Sequence, residues 1–143
     1  MPTIVFWAFN VINGLTALGM FLGPKRFHES TLVDPERAYQ RMGFSPTAVE
    51  MVHNVIRGQG AALLAVSLFL ILRGAADPSS YLLIALVCGL SLVAHIQTAL
   101  HHLRSPTVME AIGSIKPMYV ILVVNLLIGG LAAWSFARLT TPA

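Results

Sequence analysis

Four long apolar stretches, separated by shorter polar segments, dominate the pattern of this 143-residue chain. A helix needs about 20 mainly apolar residues to cross the roughly 30 Å hydrocarbon core of a bilayer, and each stretch is long enough. The pattern therefore predicts an all-α fold, a bundle of four transmembrane helices formed by a single integral membrane domain over residues 1–143. The predicted spans are about 3–22, 46–72, 81–103 and 117–137.

Polar residues followed by proline mark the starts of predicted helices. Ser45-Pro46 supplies a capping side chain and a first-turn proline for the second span. Within the first connection, Asp34-Pro35 followed by a trailing glycine, Gly43, predicts one short helix in the same way. We expect this helix to lie at the membrane surface.

The composition supports a membrane protein and narrows its chemistry. Apolar residues make up 56% of the chain and charged residues 10%, whereas soluble domains carry about 25% charged residues. The single cysteine, Cys88, excludes an intrachain disulfide and a cysteine-based zinc site. The net charge is +3, but the basic residues form no patch, so nucleic acid is not an expected partner.

The distribution of basic residues predicts the orientation in the membrane. Arg73 and Arg138 lie on one side, with the chain termini, and seven basic residues lie on the other. By the positive-inside rule, both termini lie outside the cytosol and the long first connection is cytoplasmic. The expected location is a bacterial inner membrane, or the endoplasmic reticulum in a eukaryote. The seven residues are Lys25, Arg26, Arg37, Arg41, Arg57, Arg104 and Lys116.

Polar residues inside the spans fall at similar depths. Asn13, His95 and Asn125 lie eight or nine residues from the cytoplasmic ends of their spans, which is roughly 12–14 Å deep. Arg57 and Gln59 reach a similar or shallower level. One interpretation is hydrogen bonding between helices, worth about 0.6–2 kcal/mol per side chain. The other is a polar pocket for a ligand headgroup or a proton-carrying group, with His95 as the candidate acid or base.

The second span carries a further group of ionisable residues. Glu50, His53 and Arg57 are spaced i, i+3 and i+7, so they share one helical face. They form either an ion-paired helix end or the mouth of the pocket, with His53 as a second candidate acid or base. Gly58 and Gly60 allow either a close helix crossing or room for a ligand.

A metal or haem site has little support in the sequence. His53 and His102 both lie near the predicted cytoplasmic boundary, so a bis-histidine haem is geometrically possible. The acidic residues fall in no metal-ligand spacing, and signatures such as GxSxG or a glycine-rich phosphate loop are absent. We therefore expect no metal centre, and any cofactor is unknown.

Small and aromatic residues indicate packing rather than chemistry. Gly58, Ala61, Ala62 and Ala65 form a stripe on one face of the second span, which is typical of helix packing surfaces. Most aromatic residues, Tyr39 among them, fall near the proposed interfaces and indicate an aromatic belt.

The order of these features resembles two known families. An Arg57-Gly58-Gln59-Gly60 segment precedes a proline-containing turn, Tyr81 opens the third span, that span ends in a histidine-bearing run (VAHIQTAL), and a proline opens the fourth. This layout resembles the Erg28-like family of small four-helix endoplasmic-reticulum proteins, which tether sterol-demethylation enzymes. It is also similar to the DoxX-like small bacterial proteins. The first resemblance implies a non-catalytic scaffold, and the second an accessory or quinone-linked role.

Taken together, these patterns predict a non-catalytic accessory or scaffold subunit of a larger membrane protein complex. Its expected partners are the lipid bilayer and other integral membrane proteins, or further copies of itself. The alternative is a small membrane enzyme or binder for a lipid, isoprenoid or quinone. Its ligand-binding residues would be Asn13, Glu50, Arg57, Gln59, His95 and Asn125.

Overall fold

The computed structural model describes residues 1–141, which contain seven helices and no strand. Four of these helices are long and apolar enough, by length and composition, to cross a membrane. The chain is therefore an integral membrane protein with an all-helical fold. In chain order the helices are α1 (Pro2–Leu22), α2 (Pro24–Glu29), α3 (Pro35–Arg41), α4 (Pro46–Arg73), α5 (Pro78–Arg104), α6 (Pro106–Ile112) and α7 (Lys116–Thr140).

The connections contain more helix than the sequence predicted. The short helix expected after Asp34 is α3, but α2 precedes it and α6 lies in the third connection. Both additional helices have only six or seven residues. That length is less than two turns, too short for an apolar periodicity to be recognised.

Proline and local capping explain where the helices begin. Each of the seven helices of residues 1–141 has proline in its first two positions, where the missing N–H costs nothing. The Asp34 carboxylate accepts a hydrogen bond from the Arg37 backbone N–H at 3.1 Å, and the Ser45 hydroxyl accepts one from the Ala48 N–H at 3.2 Å. Gly74, at φ 85°, ends α4.

The four long helices pack as two pairs. α1 packs along α4, and α5 packs along α7. α1 also contacts α7 and, more weakly, α5, so it joins the two pairs. α4 therefore has α1 as its principal neighbour among the long helices, and much of its surface is exposed.

The core lies at the end of the molecule that holds the first residue and the α4–α5 turn. Tyr81 is fully buried there, and its hydroxyl donates to the Ala75 carbonyl at 2.7 Å. Its ring lies 6.5 Å from that of Phe6, centroid to centroid. All four long helices contribute to this core, which consists of Val5, Phe6, Phe9, Leu70, Tyr81, Ile84, Cys88 and Ala132.

A glycine allows close approach in each helix pair. A Cβ atom on Gly60 of α4 would lie 2.7 Å from the Phe21 backbone nitrogen and 2.8 Å from the Ala17 carbonyl oxygen on α1. A Cβ atom on Gly129 of α7 would lie 2.8 Å from the Cβ of Cys88 on α5. The structure thus assigns Gly60 to helix crossing, the first of the two roles that the sequence left open.

Short helices join the two pairs at the opposite end, which we call the loop end. The Val33 backbone N–H, just before α3, donates to the Ala111 carbonyl of α6 at 3.0 Å. Arg41, at the end of α3, forms an ion pair with Glu110 of α6. The loop end is therefore held together by connecting segments, whereas the opposite end has a shared core.

Candidate functional site

Two histidines and one tyrosine meet at the loop end and join three helices. The Tyr39 hydroxyl of α3 lies 3.1 Å from Nδ1 of His28 on α2 and 3.4 Å from Nε2 of His53 on α4. The two imidazole rings are 5.6 Å apart between centroids and meet edge to face. All three side chains are partly buried. We refer to this group as the His28–Tyr39–His53 cluster.

Local structure brings Tyr39 to this position. Asp34 caps α3 and sets where it starts, and Gly43, at φ 70°, allows the chain to turn back toward α4. The Phe44 N–H donates to the Tyr39 carbonyl at 3.0 Å, and their two rings stack with 6.4 Å between centroids. The tyrosine is therefore held by contacts at both its backbone and its ring.

A groove of about 800 Å³ opens beside the cluster, between α2, α3 and α4. Phe44 and Val49 contribute apolar surface, and Lys25, Glu29 and Glu50 contribute charged side chains. Tyr39 and His53 also line it. The groove thus combines an apolar wall with hydrogen-bonding and titratable groups, as small-molecule sites do.

Burial and mutual contact change the proton affinities in the cluster. Burial lowers the pKa of His28, as does the neighbouring His53, while Glu29 acts in the opposite direction. Burial raises the pKa of Tyr39, and Glu29 adds to this effect. Near neutral pH the cluster is therefore suited to a neutral His28 imidazole and a protonated phenol. Such a chain of groups can pass a proton or hold a polar ligand, because each member both donates and accepts.

Asn13 is placed between helices, as the hydrogen-bonding interpretation expects. Its Nδ2 donates to the Ser67 hydroxyl at 2.9 Å and to the Leu63 carbonyl at 3.3 Å, and both partners are on α4. Because Ser67 is buried, these bonds lie inside the α1–α4 interface. The asparagine therefore contributes to helix association in the first pair.

Replacing Asn13 with alanine is expected to destabilise the protein by about 0.6–2 kcal/mol, the range measured for polar contacts between membrane helices. Asn125→Ala is the matched control, because Asn125 bonds to the Ile121 carbonyl of its own helix. Unfolding in mixed micelles, monitored by circular dichroism as denaturing detergent is added, measures both variants. Equal losses for the two asparagines would contradict the assignment.

The other predicted ligand-binding residues are not joined across helices. Asn125 and His95 each bond to the carbonyl one turn earlier, at 2.9 Å and 2.7 Å. Arg57 bonds to the asparagine three residues before it, at 3.3 Å. Gln59 is exposed, and Glu50 lines the groove. Within residues 1–141, none of these bonds connects two long helices, so a shared polar layer stays a prediction.

The two histidines predicted as possible haem ligands lie in different surroundings. His53 belongs to the cluster on α2, α3 and α4, whereas His102 lies in the last turn of α5 beside His101. No group of three histidine, cysteine, aspartate or glutamate side chains arranged to hold a metal ion is found in the described range. Haem ligation by this pair stays a prediction.

His28 and Tyr39 are the site residues that the sequence analysis missed. They are eleven positions apart and lie on two short helices separated by a turn, so no helical spacing relates them. The sequence pattern assigns Tyr39 to an aromatic belt and indicates no role for His28. Their one visible signal was that a second histidine and a tyrosine occur in the long connection that leads to His53.

No protein-family model matches this chain, and no curated protein or solved structure is significantly similar to it. The resemblance to the Erg28-like and DoxX-like families therefore stays a prediction.

Proposed function

We propose that this chain is a non-catalytic accessory or scaffold subunit that binds another integral membrane protein through the outer face of α4. The observation that supports this proposal is the unequal packing of α4. Gly60 lies against the α1 backbone, while the stripe of Gly58, Ala61, Ala62 and Ala65 is exposed. We call this stripe the α4 outer face.

The chemistry of the α4 outer face suits a second transmembrane helix. Residues 58 and 62, and residues 61 and 65, are two small residues four positions apart, the spacing that lets helix backbones approach closely in lipid. A Cβ atom on Gly58 would meet nothing within 4 Å, so there is space at this point. The proposed partner is therefore a membrane-spanning helix with small residues of its own.

The proposed orientation follows from the basic residues. Lys25, Arg37 and Arg104 are among those at the loop end, whereas Arg73 and Arg138 lie near the opposite end of the long helices. We therefore propose that the loop end is cytoplasmic, that α3 lies at the membrane surface, and that both termini are on the other side. The proposed location is a bacterial inner membrane, or the endoplasmic reticulum in a eukaryote.

Native mass spectrometry of the protein, extracted gently from its own membrane, tests the proposal. The wild-type chain is expected to retain a further polypeptide in fixed stoichiometry. The double variant Ala61→Trp and Ala65→Trp is expected to lose it, because two indole rings would block close helix approach. Ala133→Trp, at an exposed alanine of α7, is the matched control and should retain the partner. A lone monomer from the native membrane would overturn the proposal.

A second candidate function is a binder or small enzyme for a lipid, isoprenoid or quinone. The observation that favours it is the groove of about 800 Å³ beside the His28–Tyr39–His53 cluster, within the usual size of ligand pockets, about 300–1,000 Å³. In the same experiment, a lone chain carrying a bound small molecule that is lost in Tyr39→Phe would favour this function. The two outcomes are distinguished by the mass of what is retained.

A further inference from the structure

The His28–Tyr39–His53 cluster contains titratable side chains and also holds three helices of the loop end together. Tyr39 bonds α3 to α2 through His28 and to α4 through His53. The same short helix carries Arg41, which pairs with Glu110 of α6. A change in the hydrogen bonds of Tyr39 therefore acts on the segment that joins the α1–α4 pair to the α5–α7 pair.

We propose that this cluster is a pH-sensitive latch, closed when its imidazoles are neutral and released when both become protonated, so that α3 separates from α2 and α4. This regulatory role is independent of which partner or ligand the protein binds.

The numbers of donors and acceptors on Tyr39 and the two imidazoles explain why the latch opens when a second proton binds. A phenol has one proton to donate and oxygen lone pairs to accept. With neutral rings, Tyr39 donates to one imidazole nitrogen and accepts from the N–H of the other. One added proton is accommodated by reversing the direction of this chain. With two imidazolium ions the Tyr39 proton has no acceptor in the cluster, and two cations stand 5.6 Å apart between ring centroids.

The charged groups around the cluster set the conditions for release. In the adjoining groove, α2 contributes Lys25 and Glu29, α3 contributes Glu36, its cap contributes Asp34, and α4 contributes Glu50. Arg57 lies one turn after His53 on the same face of α4 and bonds to Asn54. The last turn of α1, against which α2 packs, has no ionisable side chain. The carboxylates offer a released imidazolium new partners, so opening replaces the bonds to Tyr39 with ion pairs.

The direction of the pH dependence follows from linkage. In the closed latch, burial and His53 lower the pKa of His28, whereas in a released segment it returns toward the ordinary value of about 6.5. The open form therefore binds more protons, and the closed form loses stability as the pH falls below that value. The closed latch is fully favoured above it.

Hydrogen–deuterium exchange of the full chain in lipid nanodiscs tests the latch through the α3 backbone amides. α3 has seven residues, too few to be stable without tertiary contacts, so its exchange reports on release. Between about pH 7.5 and about pH 5.5, exchange corrected for the intrinsic rate should rise several-fold, with a limit of about tenfold per pH unit for each proton taken up. Amides near the Tyr81 core should not respond.

Three variants separate the latch from a general effect of acid. His28→Gln with His53→Gln removes both titrating groups, so the exchange of α3 should become independent of pH. Tyr39→Phe keeps the ring but removes the bridging hydroxyl, so α3 should exchange at neutral pH as fast as the wild type does in acid. His101→Gln, an exposed histidine on α5, should keep the wild-type response. A wild type that does not respond to pH, or a double variant that still does, would overturn the proposal.

Discussion

Replacing Tyr81 with alanine is expected to lower the free energy of unfolding by about 3 kcal/mol, the largest effect of any single truncation considered for this chain. Truncating a buried aromatic residue in the core of a water-soluble protein costs about 3–5 kcal/mol. Part of that cost is the free energy of transferring the side chain from water, and this part is smaller between helices in lipid. The cost of losing packing contacts still applies, because Tyr81 is fully buried where all four long helices meet. The Ala75 carbonyl also loses its donor at 2.7 Å.

Tyr119→Ala is the matched control for Tyr81. This tyrosine on α7 is 52% exposed, so its truncation is expected to stay within about 0.5 kcal/mol of the wild type. Unfolding midpoints in mixed micelles, combined with the transition slopes, give both free energies. If the two tyrosine variants lost similar stability, the core would not lie where the structure places it.

Adding a single methyl group at Gly60 is expected to cost about 1–3 kcal/mol, the usual range for overpacking. The added Cβ in Gly60→Ala would lie 2.7–2.9 Å from atoms of α1, two of which are backbone atoms. Backbone atoms cannot move aside by a change of rotamer, so α1 and α4 must separate. The Asn13 bonds across the same interface would lengthen with them.

Gly58→Ala is the matched control, because it is not expected to lower the free energy of unfolding. The two glycines are two residues apart on the same helix, but a Cβ on Gly58 would meet nothing within 4 Å. Alanine favours helix over glycine by up to about 1 kcal/mol, so Gly58→Ala is expected to be neutral or stabilising. The same unfolding measurement compares the two variants. A Gly60→Ala variant as stable as the wild type would rule out the close crossing of α1 and α4.

The long helices could be predicted because their signals are local. A run of apolar residues long enough to cross a bilayer forms a helix in lipid, since every backbone polar group must be satisfied within the segment. Proline adds the positions where helices start, because it is compatible with the first turn and not with later ones. The single capped helix predicted after Asp34 was found as α3 for the same reason.

The candidate site was predicted only in part, because residue types do not specify partners. His53 was selected on α4, but its contacts with His28 and Tyr39 depend on how two short helices pack against α4. Asn13 and Asn125 looked equivalent by depth, yet one bonds across to Ser67 and the other bonds to its own helix. An asparagine on a helix always has a nearby carbonyl to bond, so only the neighbouring helix decides between these outcomes.

Hydropathy and proline positions were thus sufficient for the helical class, the four candidate spans and most of their boundaries. The pairing of α1 with α4 and of α5 with α7 was settled by tertiary packing, through contacts such as Gly60 against α1 and Gly129 against Cys88. The α4 outer face is exposed as a consequence of that pairing, whereas the His28–Tyr39–His53 cluster depends on how α2 and α3 pack against α4. Helices form in lipid from interactions a few residues apart, whereas their arrangement depends on surface shape, which brings together residues from distant parts of the chain.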